Sequence, residues 1–180
     1  MRIFWIIRLW IYSLFMNING WRGYIGRPIF VKGYSKIYIG RDCRLFPGAR
    51  LEVLGSGRIS FGDHCRVGHN VFMSCTDSTI KIGGNCIFSS NVFMGTQDKM
   101  SNFKQKIENS DADWFSEDDE ESAIEVGERC FIGINAVLLP GTKLGKACVV
   151  GANTTVKGVY DDCSIIACDT SGNYIGNLNN

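Results

Sequence analysis

Two histidines, His64 and His69, stand in "FGDHCRVGHN" and are the only histidines in the 180-residue chain. Histidine is the side chain that takes and gives a proton near neutral pH, so general-base chemistry has few candidates here. The eight cysteines offer a second set of reactive groups, but none falls in a C-x-x-C pair, and a metal or redox site would need clustered ligands with polar neighbours. An acidic run, "ENSDADWFSEDDEES" (108–122), suggests a divalent cation, yet it lacks the D-x-D-x-D-G spacing of calcium loops and reads as a solvated loop. Within it Trp114 and Phe115 are adjacent aromatics that should dock on something. No metal site is expected.

The elements that must position these groups follow from a period of six. Ile39, Leu45 and Leu51 form one triplet of aliphatic or aromatic residues, and Phe61, Val67 and Met73 a second. Ile82, Phe88 and Met94 make a third, Val126, Ile132 and Leu138 a fourth, and Leu144, Val150 and Val156 a fifth. The starts "IGRDC", "FGDHC", "IGGNC", "VGERC" and "LGKAC" recur, so the unit is a turn of about eighteen residues with three flat sides. A helix cannot keep one stripe inward at this period, and glycine at this density would cost about 1 kcal/mol each time. A coil of three short strands can: the apolar residue points into a prism, glycine permits the corner, and each coil bonds to the next about 4.8 Å away. An irregular coil around Ile25 and Val31 precedes the five regular ones. Cys43, Cys65, Cys86, Cys130 and Cys148 each follow the first apolar residue of a triplet by four, where a small side chain must also point inward. Ala49, Val71, Val92, Ala136, Thr142 and Thr154 hold the equivalent places on other sides. The fold class is therefore an all-β solenoid with a long loop excursion at 95–125.

The length fits one domain. The net charge of +1 hides an asymmetry, because the acidic residues crowd into the loop while Arg2, Arg8, Arg22, Arg27, Lys32, Lys36, Arg41, Arg44, Arg50, Arg58 and Arg66 load the N-terminal part. Such a surface favours anionic partners: a phosphorylated cofactor, a lipid diphosphate or a membrane face. The opening "MRIFWIIRLWIYSLFMNING" is apolar and aromatic but interrupted by Arg8, too short to span a bilayer and without an A-x-A site. Two readings stay open for residues 1–20: a helix lying in a membrane interface, or one covering an end or a face of the core. With no secretory signal the cysteines are expected to be reduced and the protein cytoplasmic.

Residues 24–166 resemble the hexapeptide-repeat, left-handed β-helix acyltransferases, in particular the bacterial O-acetyltransferases that decorate lipopolysaccharide and capsule sugars. "YIGRPIFVKGYSKIYIGRDCRLFPGARLEV" is similar to the opening of that surface-polysaccharide branch, and "VGERCFIGINAVLLPGTKLGKACVVGANTTVKGVYDDCSII" to the family's closing coils. The resemblance implies the left hand, a homotrimer of parallel rods, acetyl-CoA as co-substrate in the groove between subunits, a sugar or lipid-linked oligosaccharide acceptor, and no nucleic acid. It also implies a histidine base just before the long loop, after a stretch like "SSNVFMGTQDKM". Lys99 stands where that histidine belongs, with Asp98 beside it. Gly133 with Ile134, and Gly151 with Ala152, match positions where small residues let the pantetheine arm run along the coils, and Lys157 would meet a phosphate. The segment 167–180, "ACDTSGNYIGNLNN", departs from the family's basic closing tail.

Lysine starts near a pKa of ~10.4, so only about one in a few thousand would be neutral at pH 7. A shift of three units takes about 4 kcal/mol, and Asp98 would hold the proton on. Lys99 is thus a poor base, although as an ammonium it could stabilise an oxyanion or hold an anionic acceptor. His64 reads as a corner residue, and His69 is left as the replacement base, expected on a different edge of the prism from Lys99. Two functions follow: an acetyl-CoA-dependent O-acetyltransferase acting on a surface-polysaccharide precursor, or a catalytically degenerate scaffold or sugar-binding protein that keeps the fold without the histidine.

Overall fold

A computed structural model describes residues 2–20, 22–27, 30–98, 120–168 and 174–177. The chain opens with the helix Arg2–Ser13 and then winds through short strands that stack into three parallel sheets, one for each side of a prism. The first face stacks Asn17–Ile18, Ile37–Ile39, Arg58–Phe61, Thr79–Ile82, Ile124–Val126, Lys143–Leu144 and Val159–Tyr160. The second stacks Tyr24–Ile25, Arg44–Leu45, Arg66–Val67, Ile87–Phe88, Phe131–Ile132, Val149–Val150 and Ser164–Cys168, and is closed by the antiparallel strand Tyr174–Asn177. Phe30–Lys32, Arg50–Leu54, Phe72–Thr76, Phe93–Gly95, Val137–Leu138 and Thr155–Val156 form the third.

Every triplet read from the spacing is in register with the next. On the first face Ile39 pairs with Phe61, Phe61 with Ile82, Ile82 with Val126 and Val126 with Leu144. Phe88 lies between Val67 and Ile132 on the second face, and Met94 between Met73 and Leu138 on the third. These side chains are buried and form one continuous core. Ile18, Ile25 and Val31 make the first coil, in register with Ile39, Leu45 and Leu51. Six coils at about 4.8 Å each give a rod of roughly 29 Å.

The cysteine column is a second inward ladder. Cys43, Cys65, Cys86, Cys130 and Cys148 are all buried. Each thiol donates to a carbonyl of the following coil: Cys43 to Gly62 at 3.1 Å, Cys65 to Gly83 at 3.2 Å, Cys86 to Gly127 at 3.0 Å, Cys130 to Gly145 at 3.1 Å and Cys148 to Asp161 at 3.2 Å. A small side chain with a weak donor fits where the prism narrows beside a carbonyl that the strand ladder leaves half-satisfied.

Two corners are turned by residues in the left-handed backbone region. Between the first and second faces these are Asp42, His64, Asn85, Arg129, Ala147 and Cys163, with φ between 54° and 63°. Between the second and third faces they are Gly48 and then Asn70, Asn91, Asn135 and Asn153. Asparagine tolerates this region better than most residues with a Cβ, which explains its recurrence. The glycine after each first-face strand has a different cause: a Cβ on Gly62 would lie 2.5 Å from the amide nitrogen of Gly84 on the next coil.

The helix covers the first coil. Leu9 and Met16 enter the core, Tyr12 packs on it, and Trp5 lies 5.3 Å from the Tyr24 ring. The covering reading is therefore the one realised on the inner side of the helix. Its outer side shows Ile3, Phe4, Ile7, Trp10, Ile11 and Leu14, between 50% and 78% exposed. Among the described residues no helix is long and apolar enough to cross a membrane. The long excursion leaves the third face after Gly95, and Gln97–Asp98 pairs antiparallel with Glu120–Glu121 at its base before the coil resumes at Ile124. Trp114 and Phe115 lie outside the described residues.

Candidate active site

The edge between the second and third faces carries most of the groups singled out in the sequence. Pro47, His69, Ser90, Ile134 and Ala152 occupy equivalent positions on successive coils. Amide bonds running from coil to coil fix the column: Asn70 to the Pro47 carbonyl at 3.2 Å, Asn91 to His69 at 2.8 Å, Asn135 to Ser90 at 3.1 Å and Asn153 to Ile134 at 2.8 Å. Beside it the asparagine side chains form a ladder, Asn70 donating to Asn91 at 3.3 Å, Asn91 to Asn135 at 3.1 Å and Asn135 to Asn153 at 2.9 Å. A spine of this kind holds the edge straight, so that a ligand lying along it meets a fixed spacing of about 4.8 Å per coil.

Gly133 and Gly151 precede Ile134 and Ala152 in this column. A Cβ on Gly133 would come within 2.6 Å of the Ala152 amide nitrogen, so the close stacking of coils requires glycine at this buried position. Ile134 is exposed and Ala152 is exposed. His69 is exposed as well, with its ring 5.2 Å from Phe46, which in turn meets Tyr24 at 5.6 Å. Aromatic packing on one side of the imidazole limits its rotamers. From Ala152 to His69 is three coil rises, roughly 14 Å.

The remaining candidates lie elsewhere. Lys157 is exposed and follows the third-face strand Thr155–Val156, so a whole face separates it from Ile134 and Ala152. Asp98 follows the third-face strand Phe93–Gly95 and pairs with Glu120 at the base of the excursion, whereas His69 precedes the third-face strand of its own coil. The edges of Asp98 and His69 are thus distinct, while the expectation from spacing concerned Lys99. Lys99 lies outside the described residues. His64 turns the other corner of the second face, with Nδ1 3.5 Å from Asp42 Oδ2.

The three faces differ in what they turn outward. In-register outward residues on the first face are Tyr38, Ser60, Lys81, Glu125 and Lys143, with Lys143 paired to Glu125 at 3.0 Å. The second face shows Arg44 and Arg66, then Ile87, Phe131 and Val149. The third shows Phe30, Arg50, Phe72, Phe93 and Val137, with Arg50 sandwiched 5.4 Å from the Phe30 ring and 4.8 Å from Phe72. Two largely apolar faces therefore meet at the edge that carries His69. Sequence reasoning missed the asparagine ladder and Phe46, although the former had a signal: Asn70, Asn91, Asn135 and Asn153 each stand three residues after the middle member of a triplet.

A solenoid of six-residue sides stacked into three parallel sheets belongs to a recognised class. A family profile described as the hexapeptide repeat of succinyl-transferase matches residues 123–157. The chain is 31% identical, over 142 residues, to the Escherichia coli (strain K12) protein named "Putative lipopolysaccharide biosynthesis O-acetyl transferase WbbJ", an alignment covering 78% of this chain and 71% of that one. Among solved structures, AntD, an N-acyltransferase from Bacillus cereus in complex with dTDP and 3-hydroxybutyryl-CoA, superposes with a TM-score of 0.75 at 15% identity over 94% of this chain and 87% of that one. A maltose O-acetyltransferase from Clostridium difficile 630 does so with a TM-score of 0.54 at 17% identity over 95% and 74%. The chain belongs to the hexapeptide-repeat acyltransferase family, and its fold is that family's left-handed parallel β-helix.

Proposed function

We propose that the protein is an O-acetyltransferase that moves the acetyl group of acetyl-CoA to a sugar hydroxyl of a surface-polysaccharide precursor. The name of the Escherichia coli relative supports the reaction and the substrate class. Acyl-CoA bound in AntD supports the donor. The observation that carries the reading is the edge column, in which the exposed His69 lies in line with the exposed Ile134 and Ala152.

The pantetheine arm runs along Ala152 and Ile134 toward His69, the roughly 14 Å of the column matching an extended arm. His69 takes the proton of the acceptor hydroxyl as its oxygen attacks the thioester carbonyl, and the tetrahedral intermediate collapses by expelling the coenzyme's thiolate. The proton then passes from the imidazolium to that sulfur. Lys99 does not serve as base, for the reasons of pKa already given, and Asp98 keeps it charged. Lys157, a whole face away from this column, reaches a coenzyme phosphate only where the coenzyme lies on a neighbouring copy.

The protein works as a homotrimer in which the third face and the Ile87, Phe131 and Val149 part of the second turn toward neighbouring copies, leaving the polar first face and the arginine-bearing end of the second in water. It rests on a membrane through the outer side of the helix, whose exposed Trp10, Phe4 and branched aliphatics fit the interfacial region while Leu9 and Met16 stay in the core. Acetyl-CoA should raise thermal stability by about 2.7 kcal/mol at a hundredfold excess over its dissociation constant. An unchanged melting curve at millimolar acetyl-CoA would remove the donor, and with it the enzyme, in favour of a scaffold that has lost its chemistry.

A further inference from the structure

The proposed reaction leaves unexplained a cationic cleft at the first corner of the second face. It encloses about 420 Å³ between Arg22, Arg44, Arg66, His64 and Asp42. Arg44 and Arg66 are direct partners on neighbouring parallel strands, so two guanidinium groups leave the same face side by side. Like charges placed directly opposite destabilise a sheet unless something neutralises them.

The carboxylates nearby are already engaged. Asp63 accepts from the Arg41 side chain at 2.9 and 2.6 Å and from its amide at 2.7 Å, and these bonds hold its carboxyl below the usual range. Asp42 faces His64 at 3.5 Å. Arg44 lies over the Tyr24 ring at 5.8 Å, and among the described residues neither Arg44 nor Arg66 has a carboxylate partner. Residues 1–50 hold nine arginines and lysines against one acidic residue, Asp42, so the surroundings add to the positive field.

We infer that this cleft binds the diphosphate of the acceptor, Arg44 and Arg66 each gripping a phosphate oxygen pair, so that the attached sugar is presented to His69. The inference rests on the acetyl-transfer reading for the identity of the acceptor. Its geometry is independent of that reading. Arginine pairs bind planar oxygen pairs in a bidentate manner that lysine cannot match. Arg66 and His69 belong to one coil and are three residues apart, about 10 Å of extended chain, which is the length of one sugar between an anchored phosphate and a reacting hydroxyl. The proposed coenzyme path along Ile134 and Ala152 lies farther along the rod and at the other corner of this face, so donor and acceptor approach His69 from opposite directions. The same chemistry belongs to a nucleoside-diphosphate sugar and to a polyprenyl-diphosphate sugar. Tyr24, whose ring is tilted against Trp5 of the apolar helix, places the cleft beside the element that would meet lipid.

Titration calorimetry of the full chain against inorganic pyrophosphate, for wild type, Arg44→Gln/Arg66→Gln and the first-face control Lys81→Gln, tests the site. The double variant should bind pyrophosphate about tenfold or more weakly, with acetyl-CoA affinity unchanged, a melting temperature no lower than that of wild type, and the control like wild type. Equal pyrophosphate affinity in wild type and double variant overturns the site, and a loss that falls on acetyl-CoA as well reassigns the cleft to the coenzyme. Two further arms identify the source: a thymidine-diphosphate sugar in solution, and phosphatidylcholine vesicles with and without polyprenyl diphosphate. The arm whose binding depends on Arg44 and Arg66 names the acceptor's carrier, and dependence in neither arm overturns the acceptor assignment. Pyrophosphate binding without turnover would sink the enzyme reading and leave the site, whereas turnover with an acceptor KM indifferent to the double variant would sink the site and leave the enzyme.

Discussion

Replacement of Asn135 separates the two reasons for an asparagine at the active-site edge. Its backbone sits at φ 58°, and its side chain both donates to Asn153 at 2.9 Å and accepts from Asn91 at 3.1 Å. In Asn135→Gly the backbone is relaxed and only the ladder is lost. Two neutral hydrogen bonds at a solvent-exposed edge, taken at the low end of their range, amount to about 1 kcal/mol, and the added freedom of glycine in the unfolded chain costs about 0.5 kcal/mol more. In Asn135→Ala the same bonds are lost and a Cβ is forced into the left-handed region, at roughly 1 to 2 kcal/mol, for a total near 2 to 3 kcal/mol. At about 2 to 4 °C per kcal/mol for a chain of this size, the alanine variant should melt roughly 6 to 9 °C below wild type and the glycine variant roughly 4 °C below. Melting curves at one protein concentration give the comparison. The converse substitution is also available, because Ala147 already occupies the left-handed region at φ 55°, and Ala147→Gly should gain up to about 1 kcal/mol. If the Asn135 alanine variant matches or exceeds the glycine variant, the corner conformation is not what selects asparagine and the reasoning about the edge fails.

The buried thiols and the helix give two more expectations. Burial pushes the Cys75 and Cys148 thiols up, and the neighbouring thiols together with burial do the same for Cys65 and Cys130. Peptide mapping after alkylation at about pH 8 should therefore find the half-exposed Cys163 modified and these four intact until denaturant is added. Modification of all of them at one rate would contradict the inward ladder. For the helix, Ile7→Glu with Trp10→Glu alters only the outer side, so it should abolish flotation with liposomes of anionic lipid while leaving the melting temperature within about 2 °C. A loss of stability instead would mean that this side is packed on something other than lipid.

The solenoid was legible because the constraint that builds it repeats. Each aliphatic or aromatic residue of a triplet lies on the one above it, so a period of six in the chain becomes a column in space, as Phe61, Ile82, Val126 and Leu144 show. The cysteines followed from the same count. Ile18 escaped notice because its coil is irregular in spacing, and its place emerges only from pairing with Ile39. The helix could not be assigned from its sequence because both sides are apolar; Leu9 and Met16 are distinguished from Ile7 and Trp10 only by what the first coil places beneath them. The site was less legible than the fold. Spacing put His69 and Lys99 on separate edges, and Lys99 lies outside the described residues; that His69 shares a column with Ile134 and Ala152 required counting two residues past the middle apolar residue of every coil. Lys157 matched a motif position yet falls on the far side of the third face.

Thiol release from acetyl-CoA in the presence of a panel of hexose and amino-sugar acceptors, measured for wild type, His69→Ala and Lys99→His, tests the central claim most directly. With His69 as the base, wild type turns over, His69→Ala loses at least about a hundredfold, and Lys99→His changes little. A silent wild type that Lys99→His brings to life would contradict it, placing the reaction at the loop edge and leaving the natural chain as a binding scaffold.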